Sequence, residues 1–289
     1  MGSSGHLGFT LETPLISLEI ALEELAHLHI HEEIIPEKML ELVAKMPGDG
    51  VFIHPIIVDS RNLVVLDGMH RVAAAKEIGF RYIPVCFVDY SNPHIRIGCW
   101  YRMFESLRGA SEAEVAFMRE GMTPTPQPYE VAHSLVEGRK AITAAFSKGW
   151  SLAATAQAGD IKERYDAIKR VENHLKKAGH RMSYSTDRDA LSKIVADEYQ
   201  TGLMTPTVTK REVVETALAG KVFSQKTTRH IIPARPMNVN IPIAWLRGDM
   251  GLEEANTQLR DHLASRGIEK LPPGQILDRR YDEELYVFR

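Results

Sequence analysis

Between Leu66 and Gly79 the sequence reads LDGMHRVAAAKEIG. An acid, a glycine, a histidine and an arginine fall within five residues, followed by an alanine-rich run. A helix that starts here presents unpaired backbone N–H groups and a partial positive charge at its first turn, so phosphate is the natural guest. Gly68 lets the backbone approach such a ligand with no Cβ in the way. Arg71 adds a permanently charged bidentate donor, and His70 a second donor that can also move a proton. Asp67 does not suit a bare phosphate pocket; it fits if a magnesium ion is held against the phosphates or a hydroxyl must be oriented. The plain alternative is that Asp67 caps the helix and that His70 and Arg71 are ordinary first-turn residues.

A second stretch, KVFSQKTTRHIIPARP (221–236), lies in a run from Gly220 to Asn240 with no acidic residue, while Lys221, Lys226, Arg229, His230 and Arg235 are basic. Lys226, Thr227, Thr228, Arg229 and His230 combine hydroxyl donors with a planar cation, which suits phosphate or carboxylate. A solvated basic loop is the simpler reading. A proton acceptor for a hydroxyl could come from Glu32 or Glu33 in HIHEEII, although a Glu pair ahead of a helix more often caps or solvates. Trp100, in GCWYR, reads first as a core or interface aromatic. His27, His29 and His31 alternate like ligands on a strand but lack a Cys or H-x-x-x-H partner, so no zinc site is expected.

The elements that must position these residues follow from pattern. ISLEI (17–21) is a short strand. Pro36 opens a helix through PEKMLELVAKM with Met39, Leu42, Val43 and Met46 on one face. PIIVD (55–59) and NLVVLD (62–67) are adjacent strands, a helix covers 69–78 with Gly79 as its C-cap, and strands follow at 83–90 and 95–104. Beyond them a helix at 111–121 starts with a capping box of Ser111 and Glu114, and 122–128 is a proline-rich break. The helix at 160–179 carries Ile161, Tyr165, Ile168, Val171 and Leu175 on one face. A helix at 210–219, strands around 237–246, a helix near 252–265 and a terminal strand ELYVFR complete the chain.

The 289 residues are enough for a large core without a metal or disulfide staple, and the net charge of −3 gives no global field for a polyanion. Two cysteines, Cys86 and Cys99, form no disulfide framework and suit a reducing cytoplasm. No apolar run is long enough for a membrane span, and MGSSGHLGF lacks the regions of a signal peptide.

The segment HPIIVDSRNLVVLDGMHRVAAAKEIGFRYIPVCFVDY (54–90), preceded by HEEIIPEKMLELVAKM (31–46), resembles the ParB/sulfiredoxin-like superfamily. Members of that group bind phosphate on this strand-to-helix loop. The resemblance implies an α+β chain: a ParB/sulfiredoxin-like α/β domain over 10–105 that binds nucleotide phosphate, then a larger mixed, helix-rich domain over 106–289 that contributes the substrate site. The acid at the HEE position, the D-G-x-H-R loop, Trp100 and the K-T-T-R-H segment together resemble the free-serine kinases, which phosphorylate serine with ADP in archaeal members and ATP in a bacterial siderophore-pathway member.

That resemblance implies roles. Glu32, the first acid after His31, would take the hydroxyl proton. Asp67 would hold Mg2+ or orient the hydroxyl, and Gly68, Met69, His70 and Arg71 would hold the phosphates. Trp100 would wall the serine pocket, and Lys226, Thr227, Thr228, Arg229 and His230 would bind the amino acid. The family loop usually reads D-G-H-H-R, so Met69 removes whatever its first histidine does. The expected partners are serine and a nucleotide, with no nucleic acid and no membrane; a homodimer stays open, as does the choice of ADP or ATP.

The competing reading is a ParB-like nucleotide-binding DNA-binding protein or switch, with 150–175 as a helix-turn-helix about Gly159. Glu163, Asp166 and Glu172 on its second helix make a poor surface for a phosphate backbone. A sulfiredoxin-like reductase would want a cysteine in the loop that has Met69.

Overall fold

The computed structural model describes residues 8–157, 159–277 and 280–289. It separates into two compact units. Of the described residues, the first comprises those within 8–96, 214–222 and 230–289, and the second those within 97–213 and 223–229. This division departs from the split at 105/106 expected from sequence, because the last sixty residues return to the first unit.

The first unit is organised by the strand Tyr82–Val88. Every residue of this YIPVCFV run is buried, as a strand covered on both faces requires. Around it runs a five-stranded sheet in the order Phe9–Glu12, Ser17–Glu24, Tyr82–Val88, Ile56–Asp59, Val65–Asp67. Ile56–Asp59 pairs with the central strand in parallel, and the other neighbours are antiparallel. The helix Met69–Ile78 makes the connection from Val65–Asp67 to the central strand. It ends at Gly79, whose φ of 83° closes the cap as expected.

The return of the C-terminus has a clear cause. Helix Leu252–Ala264 buries Ala255, Leu259 and Leu263 in the same core as Ile20, Leu22 and Phe87. Its buried Asn256 accepts from the Leu22 N–H at 2.7 Å and donates to the Leu22 carbonyl at 3.1 Å. A smaller sheet in this unit places Glu284–Phe288 between Ala234–Met237, in parallel, and Ile268–Leu271. The strand expected over 237–246 is broken. Asn238 and Asn240 adopt φ of 56° and 49°, and beyond the two-residue strand Ile241–Pro242 the chain coils into a 3₁₀ turn over Ile243–Leu246.

The second unit is built on a six-stranded antiparallel sheet in the order Met182–Thr186, Trp100–Phe104, Thr201–Met204, Thr143–Phe146, Ser151–Thr155, Thr123–Pro126. The 95–104 strand is interrupted at Cys99. The proline-rich 122–128 stretch supplies the sheet's edge, where a strand tolerates missing donors. Helix Ile161–Lys177 buries all five apolar residues expected of it, and the Asp160 side chain caps it by accepting from the Glu163 N–H at 2.9 Å. Helix Ala110–Arg119 begins one residue before Ser111, with Gly109 as N-cap and no capping side chain. The helix-turn-helix reading of 150–175 is overturned: Ser151–Thr155 is a strand paired on both sides.

No helix among the described residues is long and apolar enough to cross a membrane.

Candidate functional site

In the first unit, the Asp67–Arg71 stretch sits where the sequence places it, at a strand end running into a helix. Gly68 is the N-cap with φ of 102°, a conformation costly to other residues. A Cβ there would lie 2.5 Å from Ile56 Cγ2 and 2.9 Å from Arg71 Nη2. Both strain and overlap therefore demand glycine. Gly68→Ala is expected to destabilise the protein by about 1–3 kcal/mol from the backbone term alone and to weaken nucleotide binding in the surviving folded fraction. Calorimetric titration beside a melting curve separates the two; unchanged nucleotide affinity would remove the loop from the site.

The side chains of the motif cross-link the loop. Arg71 Nη1 donates to the carbonyls of His54 and Pro55, each at 2.8 Å, and Nη2 donates to Asp67 Oδ2 at 3.1 Å. His70 Nε2 accepts from the Ile35 N–H at 2.9 Å. That bond ties the helix N-terminus to the segment that carries Glu32. The first turn directs the N–H groups of Met69, His70 and Arg71 along the helix axis, which is the geometry for an anion.

Asp67 also receives Arg235, whose Nη1 donates to Oδ2 at 2.5 Å while Nε donates to Glu283 Oε1 at 2.8 Å. Burial opposes the charge on Arg235, but Asp67 and Glu283 outweigh it and raise its pKa. Arg235 was visible in sequence as one cation of the acid-free run, yet nothing there joined it to Asp67. Among the described residues no group of three or more His, Cys, Asp or Glu could hold a metal ion.

Glu32 is buried at 8% exposure, whereas Glu33 is half-buried. Beside it the His31 ring is fully buried, its Nδ1 2.8 Å from the Val65 carbonyl and its centroid 5.3 Å from that of His230. The His230 Nε2 lies 2.7 Å from the Tyr90 hydroxyl. Burial is the largest influence on His31 and lowers its pKa below 6.5, against the pull of Glu32 and the carbonyl. His31 therefore stays neutral when folded and protonates more readily when unfolded. Its contribution to stability is complete above pH 6.5 and is lost as the pH falls from 6.5 toward the lower folded value. Melting curves should show His31→Asn losing less stability than wild type on acidification below pH 6.5; equal losses would contradict the assignment.

In the second unit, Trp100 donates from Nε1 to the Thr228 carbonyl at 3.0 Å, and the Lys226 ammonium lies 4.6 Å from its ring centroid. Lys226 has φ of 60°. The Thr227 hydroxyl donates to the Ser224 carbonyl at 2.8 Å from a fully buried side chain, so it shapes the turn. Beneath them is a residue with no signal in the sequence. Arg102, at 0% exposure, donates to Glu172 Oε1 at 2.5 Å, to the Trp100 carbonyl at 2.5 Å and to the Lys226 carbonyl at 3.1 Å. The Tyr165 and Tyr184 rings lie 5.8 and 5.5 Å from its guanidinium. The structure thus brings Trp100, Lys226, Thr227 and Thr228 together, and separately Glu32's neighbour His31 with His230, and Asp67 with Arg71.

No family model matches the chain. It is 27% identical over 248 residues to an ATP-dependent L-serine kinase of Staphylothermus marinus, covering 81% of this chain and 94% of that one. It is 22% identical over 241 residues to the ADP-dependent L-serine kinase SerK of Thermococcus kodakarensis, covering 81% and 96%. Among solved structures it resembles a free serine kinase in complex with AMP, with a TM-score of 0.65 at 23% identity over 78% of this chain and 93% of that one. It likewise resembles C-terminally truncated SbnI of Staphylococcus aureus, with a TM-score of 0.67 at 16% identity over 85% and 95%. The mixed α+β architecture is therefore one these proteins share.

Proposed function

We propose that the chain is a free-serine kinase, moving the terminal phosphoryl group of ADP or ATP to the hydroxyl of L-serine to give O-phosphoserine. The observation that carries this reading is in the first unit: the helix N-terminus at Gly68, a geometry suited to an anion, is joined through the His70–Ile35 bond to the segment of a buried carboxylate, Glu32. Phosphoryl transfer asks for that pair, a fixed phosphate and a group to accept the proton of the attacking hydroxyl.

In this mechanism the amides of Met69, His70 and Arg71 hold the phosphates against the helix dipole. Arg71 and Arg235 fix the Asp67 carboxylate so that it can orient the hydroxyl or hold a metal. Glu32 takes the proton as the serine oxygen attacks the terminal phosphorus and the bond to the leaving AMP or ADP breaks. Neutral His31 beside Glu32 leaves its negative charge undiluted. Mg2+, where Asp67 would hold it, would neutralise charge on the phosphate oxygens. Trp100 with Lys226, Thr228 and Arg229, all of the second unit, serve the amino acid.

The test incubates the purified protein with Mg2+, ADP or ATP, and a panel of L-serine, L-threonine and L-homoserine, with products read by mass spectrometry. A mass gain of one phosphoryl group on serine with one of the two nucleotides is expected. Absence of any phosphorylated amino acid with both nucleotides would refute the reading.

A further inference from the structure

Helix Pro36–Asp49 in the first unit begins without a cap of its own. Its N-cap residue, Ile35, makes no side-chain cap bond, and Pro36 at the first helical position carries no N–H. The N–H of Ile35 itself lies outside the intrahelical pattern. In a capping box, the residue three places after the cap reaches back to accept from that N–H. Here it is Lys38, which has only donors. His70 takes over the task from another helix, 35 residues away, its Nε2 accepting from the Ile35 N–H at 2.9 Å.

The bond also fixes a tautomer. A backbone amide can only donate, so Nε2 of His70 holds a lone pair and the proton of the ring sits on Nδ1. A protonated ring would set N–H against N–H and break the contact. His31 is determined in the same way from the opposite side. The Val65 carbonyl can only accept, so the His31 Nδ1 that lies 2.8 Å from it carries the proton. Burial, the largest influence on this ring, lowers its pKa and keeps it neutral. Glu32 lies between the two attachments. One is made to the strand that enters the Gly68 loop, Val65–Asp67, and the other to the helix that leaves it, Met69–Ile78. Just ahead of them the His29 N–H donates to the Leu63 carbonyl at 3.0 Å, and the His29 carbonyl accepts from the Val65 N–H at 2.9 Å.

We infer that His31 and His70 are positioning residues, two neutral Nδ1–H imidazoles that staple the Glu32 segment across the Gly68 loop, and that His70 moves no proton in the reaction. The inference rests on the reading of Glu32 as proton acceptor and of the Gly68 loop as the phosphate site, and it names what sets one against the other. An imidazole whose Nε2 is engaged by an amide cannot take a proton from the hydroxyl, and one that gave up its Nδ1 proton would be left an anion. What His70 supplies to Glu32 is position. In the proposed mechanism the phosphates meet backbone amides of the same helix, so loss of the staple shifts Glu32 against the phosphate without removing those contacts. A misplacement of about 1 Å costs up to about 100-fold in rate.

Long-range nitrogen–proton NMR of the full chain reads the two tautomers without requiring turnover. Both rings, assigned through their proximity to Val65 and Ile35, are expected as neutral Nδ1–H forms at neutral pH. Two substitutions then probe the acceptor end of the His70 ring: glutamine can place a carbonyl where Nε2 accepts, and asparagine is too short to reach. Hydrogen exchange at the Ile35 amide should be slow in wild type and in His70→Gln, and about tenfold faster in His70→Asn. With serine and nucleotide, His70→Asn is expected to lose about 10- to 100-fold in kcat with little change in nucleotide affinity, and His70→Gln to recover most of that loss. An Nε2–H or imidazolium form of His70, or equal losses of kcat in the two variants, overturns the staple. If wild type transfers no phosphoryl group while the tautomers and the Ile35 exchange are as expected, the staple stands and the kinase reading falls.

Discussion

Glu32→Gln is expected to lower the rate of O-phosphoserine formation by about 10²- to 10⁴-fold, the range over which a positioned proton acceptor contributes. The substitution keeps the shape of a side chain that is 8% exposed and removes only its ability to take a proton. Nucleotide affinity should stay within about twofold of wild type, because in the proposed mechanism the phosphates are held by the helix that begins at Met69. Single-turnover measurements would place the loss on the chemical step. If affinity and rate fall together, Glu32 holds the segment in place and another group accepts the proton. Glu33→Gln is the control, and its half-buried side chain predicts little change in rate.

Arg102→Met should be among the most destabilising single substitutions in the second unit. It strands Glu172, 4% exposed, as an uncompensated buried carboxylate, a change that costs about 3–5 kcal/mol. Glu172→Gln should cost less, because the guanidinium keeps its bonds to the Trp100 and Lys226 carbonyls. The double variant Arg102→Met, Glu172→Leu tells two roles apart. Replacing a buried ion pair by apolar residues of similar volume is often neutral or stabilising, so chemical denaturation should show most of the stability recovered. The carbonyls of Trp100 and Lys226 would still lack their shared donor. The KM for serine should therefore remain raised while kcat changes little. A double variant with wild-type KM would show that Arg102 serves stability alone.

The sequence was most legible where chemistry and local structure coincide. Asp67, Gly68 and the helix that follows were readable because a positive-φ glycine and an N-terminal dipole act over a few residues. The helix over 161–177 was readable from its apolar spacing. What sequence concealed depends on contacts between distant positions. Arg235 meets Asp67 across 168 residues, Asn256 meets Leu22 across 234, and Arg102 meets Lys226 across 124. No periodicity records such pairings. Arg102 was hidden further by its place in an apolar strand, WYRMF, where an arginine looks like the exposed member of an alternating pattern and is instead fully buried. The 238–240 break was missed because two asparagines in the left-handed region lie inside a run rich in β-branched residues.

Arg71 was read as a phosphate donor, and the structure shows two of its nitrogens committed to the carbonyls of His54 and Pro55 and to Asp67. That arrangement supports a loop held rigid before nucleotide arrives, with backbone amides as the primary phosphate contacts.

The most direct measurement is a phosphorus NMR time course of wild-type protein and Glu32→Gln with Mg2+, nucleotide and L-serine. The account predicts that wild type produces O-phosphoserine in equal amount to the AMP or ADP released, that omission of serine stops nucleotide consumption, and that Glu32→Gln binds nucleotide yet leaves both signals flat. Nucleotide breakdown to free phosphate at the same rate with or without serine would contradict it.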